Sequence, residues 1–338
     1  MNRIPYFDGW RGLAILAVLF AHFVFSGHFN AGRFGVELFF ALSGRLMAEI
    51  LFVKGAGLKR FYFHRISRIF PALIAFATII FLISGPLSMG VTLPGYLSVL
   101  TLTYNYAIPF IGQMPAIDHI WSLCIEEHMY IFLGLVAFVC RRYGFNPVYL
   151  IAIAALTFMI NGLVQSSLGL GYYAVYWRSD VRGASILAAA AMYLCSQDAR
   201  FKPYFEGQTS LYIAIVAALI INFDAVPDEI KYTAGTLCIS YAMASLPRAN
   251  KLALSLLSFK PLTYFGLTSY SIYLWQQPFA FSLLKFLEPL GVGYNTKRLL
   301  LLVGAIAVGL VSYYVVEGPS RRWLNNLAAR RNAKLLKT

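Results

Sequence analysis

The sequence predicts an all-α membrane protein, a bundle of about ten transmembrane helices with both termini in the cytoplasm. Of its 338 residues, 59% are hydrophobic and only 12% are charged, which is about half the charged fraction of a typical soluble domain. The mean hydropathy is +0.66, and apolar runs near the length of a membrane span recur along the chain. Because backbone polar groups in lipid must be satisfied internally, we interpret these runs as helices.

Ten apolar runs define the predicted spans. One further semi-apolar stretch, 95–112, contains Asn105 and Pro109, and we expect it to be re-entrant or to lie along the interface. The chain is expected to form a single transmembrane domain over 1–338, with a basic cytoplasmic tail at about 318–338. The ten runs lie at about 10–26, 34–53, 70–84, 119–140, 148–168, 183–196, 209–223, 231–246, 262–284 and 299–316.

Loop charges set the predicted orientation. The net charge is +14, and basic residues gather in the loops after the second, fourth, sixth and eighth spans and in the tail. The loop after the seventh span instead carries Asp224, Asp228 and Glu229. Since basic loops face the cytoplasm, both termini are predicted to be cytoplasmic and the number of spans even. No basic segment interleaves with aromatic residues on a soluble domain, so we expect no nucleic-acid partner.

The first span carries two ionisable residues, Arg11 and His22. They are eleven residues apart, so a helix places both near one face and about 16 Å apart along its axis. An ionisable residue inside a membrane span marks a functional site by default. With the orientation above, Arg11 lies at the cytoplasmic end and His22 in the outer half of the membrane.

Two carboxylates are predicted to join His22 in the outer half. Glu37 lies about one turn into the second span, and Glu126 lies about 10 Å below the outer end of the fourth span. A histidine beside a carboxylate suits proton transfer near neutral pH. Which of Glu37, Glu126 and the adjacent Glu127 is the partner stays open. His119, at the edge of the fourth span, is expected to be solvated.

Arginines are predicted to collect at the cytoplasmic face. Arg65 and Arg68 are three residues apart, so a helix places both on one side, near Arg11. Guanidinium groups bind phosphates bidentately, so this cluster suits a phosphate-bearing donor. Arg45, in the middle of the second span, has two interpretations: it lines the donor channel, or it pairs with Glu49 one turn on. The spacing of the four cysteines suggests no zinc site, and we expect no metal.

Six segments of the chain, taken in order, resemble the acyltransferase 3 family of integral membrane acyltransferases. Two positions depart from the family pattern. Gln276 stands where the family often has histidine, and Arg45 stands where it usually has an apolar residue. The six segments are the Arg11/His22 pair, GVELFFALSG at 35–44, FHRISRIFP at 63–71, HIWSLCIEE at 119–127, SYSIYLW at 269–275 and EGPSRR at 317–322.

The resemblance implies ten transmembrane helices and an acyl-CoA donor, usually acetyl-CoA. It also implies an acceptor hydroxyl on a glycan or lipid-linked saccharide. We therefore expect an O-acyltransferase of the bacterial inner membrane, in which the acyl group crosses much of the bilayer within the protein. The predicted site residues are His22, Glu126 and Glu37 for catalysis and Arg11, Arg65, Arg68 and Arg45 for donor binding.

A second class of function stays open from the sequence. In a proton-coupled secondary transporter or a flippase for a saccharide or small metabolite, His22 and Glu126 would form a proton relay. The arginine cluster favours the enzyme, and so does the lack of the internal repeat that many transporters show.

Overall fold

The computed structural model describes residues 3–24 and 27–335. These residues form helices, and their only β-structure is an isolated bridge between Phe29 and Phe223. The all-α prediction is therefore confirmed. The predicted basic tail lies in the last helix as far as residue 335, and Lys337 lies outside the described residues.

Sixteen α-helices are present in the described part of the chain, and several are extended by a π-helical turn. The turns Glu49–Val53, Pro278–Ser282 and Tyr313–Glu317 follow α2, α14 and α15 respectively. The helices are α1 (Pro5–Phe23), α2 (Ala31–Ala48), α3 (Leu58–Ser84), α4 (Leu93–Leu100), α5 (Tyr104–Ile111), α6 (Ile120–Tyr143), α7 (Pro147–Ser167), α8 (Tyr172–Tyr176), α9 (Ser179–Gln197), α10 (Gln208–Ile221), α11 (Asp228–Ile230), α12 (Thr236–Ser245), α13 (Lys251–Leu257), α14 (Lys260–Gln277), α15 (Tyr294–Ser312) and α16 (Gly318–Leu335).

A helix lies at each of the ten predicted spans. Among the described residues, four helical segments are long and apolar enough to cross a membrane: Leu58–Ser84, Ile120–Tyr143, Pro147–Ser167 and Tyr294–Ala328. The total of ten spans and the cytoplasmic placement of the termini stay predictions.

The semi-apolar stretch 95–112 folds as two short helices, α4 and α5. Leu102 lies between them with a φ of 56°, a left-handed conformation that turns the chain sharply. Each helix has eight residues and is therefore about 12 Å long, well short of the hydrocarbon core of a bilayer. Neither helix crosses the membrane by itself.

Helix α6 begins in the protein interior because the turn before it is buried. Met114, Ala116, Ile117 and His119 are all at most 4% exposed. The Asp118 carboxylate closes this turn, since it accepts hydrogen bonds from the Tyr104 hydroxyl at 2.5 Å and the Met114 amide at 2.7 Å. The first turns of α6 are therefore covered by α5 and this loop.

Helix α1 packs backbone to backbone against its neighbours. A Cβ atom added to Gly266 of α14 would overlap the Asp8 carbonyl oxygen, and one added to Gly12 would overlap the Leu262 carbonyl oxygen. On the other side, a Cβ atom on Gly35 of α2 would lie 2.6 Å from the Ala14 carbonyl oxygen. Small residues permit this close approach, as is common between membrane helices. Helix α1 is thereby clamped between α2 and α14.

We predict that Gly266→Ala destabilises the protein by about 1–3 kcal/mol, the usual cost of overpacking, because the new methyl group meets backbone that cannot rotate away. Thermal unfolding in detergent measures the effect. Gly57→Ala is the matched control, since a Cβ atom there meets nothing within 4 Å. Equal unfolding temperatures for the two variants would contradict this account of the α1–α14 contact.

Candidate active site

Two cavities lie next to each other in the helix bundle. The smaller, of about 80 Å³, holds the predicted arginine cluster, and we call it the arginine cavity. The larger, of about 480 Å³, holds His22, and we call it the histidine cavity. Val36 and Tyr273 line both. The arginine cavity is lined by Arg11, Val36, Phe39, Phe40, Ser43, Arg65, Arg68, Ile69, Ser122, Leu123, Glu126, Ser269, Tyr270 and Tyr273.

The arginine cavity brings together the three arginines predicted to bind the donor. Arg65 lies over the ring of Tyr130, with its guanidinium carbon 3.8 Å from the ring centre. Arg11 forms an ion pair with Asp8 at 3.2 Å. Arg68 makes no ion pair among the described residues, so the cavity contains one guanidinium whose charge is not matched by a carboxylate in contact with it. A bound phosphate would provide that match.

Glu126 lies in the arginine cavity and not beside His22. It accepts a hydrogen bond from the Tyr130 hydroxyl at 2.7 Å and pairs with Arg65 at 3.3 Å, while Glu127 pairs with the same arginine at 3.5 Å. The predicted contact between Glu126 and His22 is therefore corrected. The prediction placed the start of α6 at the membrane surface, but the first turn of this helix is buried inside the protein and Glu126 lines the arginine cavity.

Glu37 is held in a buried ion pair with Arg182 of α9. It also accepts a hydrogen bond from the Ser185 hydroxyl at 2.7 Å. Both ionic side chains are almost completely buried, since Arg182 is 0% and Glu37 3% exposed. The prediction that Glu37 partners His22 is thus corrected as well, because this carboxylate neutralises a buried arginine. Arg182 was missed, although a charge at the edge of the sixth span could have indicated it.

His22 is oriented by an amide. Its Nδ1 lies 2.6 Å from the Oε1 of Gln276, whose Nε2 donates a hydrogen bond to Gln277 Oε1 at 3.2 Å. This arrangement makes Gln276 Oε1 the acceptor, so Nδ1 of His22 carries the proton and Nε2 has a free lone pair. A Cβ atom on Gly32 would lie 3.9 Å from Nε2, and the glycine leaves that space open. The departure from the family pattern at Gln276 was the signal for this contact.

His119 is a second histidine of the histidine cavity. The expectation that it is solvated is wrong, since it is 4% exposed in the buried turn before α6. Its ring packs edge-on against Phe76 and Tyr273, with ring centres 5.6 and 5.2 Å away. Neither ring nitrogen has a hydrogen-bond partner of good geometry among the described residues. Within the same residues, no group of three or more His, Cys, Asp or Glu side chains has an arrangement that could hold a metal ion.

Tyr273 forms part of the wall between the cavities. Its hydroxyl lies 2.6 Å from the Ser122 hydroxyl and donates to the His119 carbonyl oxygen at 3.0 Å. Ser122 lines the arginine cavity and His119 lines the histidine cavity. Tyr273 was not among the predicted site residues, although it lies in one of the six segments that carry the family resemblance.

Arg45 lines neither cavity. It pairs with Glu49 at 3.2 Å, one turn along α2, and its guanidinium lies 4.0 Å from the ring centre of Phe7 and 4.6 Å from that of Tyr193. Of the two interpretations of Arg45, the structure supports the ion pair with Glu49. The prediction that Arg45 binds the donor is corrected, because the residue four positions on satisfies its charge.

Known proteins resemble the chain over most of its length. A peptidoglycan O-acetyltransferase, OatA of Listeria monocytogenes, is 26% identical over 353 residues, covering 94% of this chain and 56% of that protein. The putative peptidoglycan O-acetyltransferase YrhL of Bacillus subtilis is 26% identical, covering 94% of this chain and 55% of that protein. The O-acetyltransferase OatA of Staphylococcus aureus is 24% identical, covering 81% of this chain and 50% of that protein.

The chain spans about half the length of these curated relatives. No solved structure matches it. A family model described as an acyltransferase domain matches residues 4–317, nearly the whole chain. With four long apolar helices in the described part of the chain, the protein is an integral membrane protein. The chain therefore belongs to the acyltransferase 3 family.

Proposed function

We propose that this protein is a membrane O-acetyltransferase that moves an acetyl group from acetyl-CoA in the arginine cavity to a hydroxyl group in the histidine cavity. The observation that carries the proposal is the pair of adjacent cavities: one helix, α1, contributes Arg11 to the first and His22 to the second. The acceptor is a glycan or lipid-linked saccharide, in keeping with relatives whose names refer to peptidoglycan. The family membership favours this enzyme over a transporter or flippase.

The positive charge of the arginine cavity supports the binding of acetyl-CoA there. Arg11, Arg65 and Arg68 line one small cavity, and guanidinium forks match phosphate oxygens. With a volume of about 80 Å³, this cavity suits a narrow chain such as the pantetheine arm of CoA. The phosphates would lie at its mouth, near Arg68. The thioester would then point along α1 towards His22.

The volume and the lining residues of the histidine cavity support the binding of a saccharide acceptor there. At about 480 Å³, the histidine cavity falls in the usual range for small-molecule sites. Aromatic rings of Trp121, Trp177 and Tyr176 line it together with the amides of Asn30 and Gln113. Flat rings stack on the apolar faces of sugars, while amides bond to hydroxyl groups. Such a lining suits a saccharide.

The proposed reaction needs one base. His22 Nε2 removes the proton of the acceptor hydroxyl as its oxygen attacks the thioester carbonyl carbon. The new C–O bond forms, the C–S bond breaks, and His22 passes the proton to the leaving sulfur. The products are an acetyl ester and CoA with a free thiol, so protons and charges balance.

The topology is part of the proposal. Residues 1–338 form one transmembrane domain of ten spans, with both termini and the basic tail from about 318 in the cytoplasm. Acetyl-CoA then enters from the cytoplasm at the arginine cavity. The histidine cavity opens towards the outer side of the bacterial inner membrane, where glycans are modified.

We predict that His22→Ala lowers the turnover number for acetyl transfer by about 10²–10⁴-fold, the usual contribution of a positioned base. Labelled acetyl-CoA and purified protein in detergent measure it. His64→Ala is the control, because His64 is exposed and bonds only to Asn325 in the described residues. Wild-type turnover by a folded His22→Ala protein would contradict the assignment, and no transfer by the wild type to any saccharide would contradict the proposed function.

We expect Arg68→Ala to weaken acetyl-CoA binding by about 1.5–3 kcal/mol, the range for a hydrogen bond to a charged group. Arg68→Lys restores part of the affinity, since lysine keeps the charge but lacks the fork. Equilibrium binding of labelled acetyl-CoA is the measurement. The control is Arg60→Ala, an exposed arginine of the same helix. Equal affinities for the Arg68→Ala and Arg60→Ala proteins would show that the phosphates bind elsewhere.

We expect Gln276→Leu to lower turnover by about tenfold to a hundredfold, because the His22 ring loses the acceptor that holds it and small misplacements are costly. Gln276→Glu keeps an acceptor for the Nδ1 proton and retains most of the activity. Gln165→Leu, which removes an amide bonded to Asn161 in α7, is the control. If the leucine and glutamate variants at 276 lost activity equally, hydrogen-bond acceptance by Gln276 would not be its role.

A further inference from the structure

A group of charged side chains around the cavity residue Arg33 carries an excess of buried positive charge. We call it the Arg33 cluster, and it consists of Arg33, Arg182, Lys231, Glu37 and Asp228. Arg33 Nη1 pairs with Asp228 at 2.6 Å, Lys231 pairs with the same carboxylate at 3.5 Å, and Arg182 pairs with Glu37. Three cations thus share two carboxylates, which leaves one positive charge unmatched.

The cations of the cluster are shielded from water. Arg33 is 3% exposed, Arg182 0% and Lys231 8%. Both guanidinium groups lie over the rings of Tyr176 and Tyr232, at 4.9 Å from each ring centre for Arg33 and 5.3 Å for Arg182. An unmatched buried charge is costly unless a counter-charge approaches it. The cluster therefore favours an anion.

Arg33 is the member of the cluster that lines the histidine cavity. Its Nε and Nη2 are buried and have no hydrogen-bond partner of good geometry among the described residues, and the Tyr172 hydroxyl, which also lines the cavity, interacts with this guanidinium group. These two atoms form one side of the guanidinium fork, the side that binds a carboxylate or phosphate bidentately. The third nitrogen of the guanidinium group, Nη1, donates a hydrogen bond to Asp228.

The start of α2 adds a second attraction for an anion. Ala31 and Gly32, the first two residues of this 18-residue helix, line the cavity beside Arg33. The amino end of a helix carries partial positive charge, which attracts phosphates and carboxylates. The Ala31 and Arg33 amides already donate to the Phe29 carbonyl oxygen and the Asn30 side chain, so the attraction of this end comes mainly from its charge. Arg33 and the helix end therefore act on the same part of the cavity.

Two carboxylates also line the cavity, and the negative charge of each is offset by its surroundings. Asp118 is held by the Tyr104 hydroxyl and the Met114 amide, and burial raises the pKa of its carboxyl above the ordinary value. Asp224 is exposed at the rim, where solvent and salt screen its charge. The buried positive charge is the stronger influence on the interior.

We propose that Arg33, with the first turn of α2, binds an anionic group of the acceptor. The acceptor class is then an acidic or phosphorylated saccharide, bound with its anion at Arg33 and its hydroxyl at His22. This inference rests on the proposed function for the reaction and extends it by naming the charge of the substrate. Carboxylate and phosphate share the required chemistry.

Three matched probes test the proposal: glucose, glucuronate and glucose 6-phosphate. Binding of each labelled sugar to the purified protein is measured at equilibrium, without donor, and acetyl transfer to each is measured separately. The wild type should bind at least one anionic sugar about tenfold to a hundredfold more tightly than glucose. Arg33→Gln should remove that preference and leave glucose binding unchanged, with Arg33→Lys in between. Whichever anionic sugar binds more tightly identifies the anion.

Two further variants keep the test decisive. Asp228→Asn leaves Arg33 in place and removes a carboxylate that competes for it, so the preference for the anionic sugar should increase. Arg178→Gln is the control, because it breaks a half-exposed ion pair with Asp180 next to the cavity residue Trp177. Equal binding of all three sugars by the wild type, or an equal loss for all three in Arg33→Gln, overturns the proposal. Anion preference without acetyl transfer would contradict the proposed function alone.

Discussion

The arrangement of the two cavities depends on the close packing of α1 between α2 and α14. Glycines at the contacts let the α1 backbone approach both neighbours, and side chains there would overlap carbonyl oxygens. That clamp places Arg11 in one cavity and His22 in the other. It also brings His22 within hydrogen-bond distance of Gln276 on α14. A looser helix pair would lose the orientation of the histidine first.

Several charges inside the bundle are held in ion pairs. Glu37 matches Arg182, Glu126 and Glu127 share Arg65, and Glu49 matches Arg45. Because burying a single charge costs more than burying a pair, the carboxylates serve the arginines and not the histidine. Arg68 and the Arg33 cluster carry positive charge without a full match among the described carboxylates, and Arg68 and Arg33 line the cavities where we place substrates.

Both departures from the family pattern have a local partner that explains them. Gln276 stands where the family often has histidine and accepts a hydrogen bond from Nδ1–H of His22, so a neutral amide orients the ring. Arg45 replaces an apolar residue and is held by Glu49, Phe7 and Tyr193. The first change bears on the proposed chemistry, whereas the second concerns packing near the end of α2.

The sequence by itself determined the helical class, the family and the separation of Arg11 from His22, because hydropathy, motif order and helical spacing are local properties. It also indicated that Arg11, Arg65 and Arg68 belong together. Only the tertiary structure decided the partners: Gln276 for His22, Arg182 for Glu37 and Arg65 for Glu126. Those contacts join elements that are distant in the sequence, and they depend on where each helix begins within the folded protein. The buried start of α6 was the fact that no loop charge or hydropathy run could reveal.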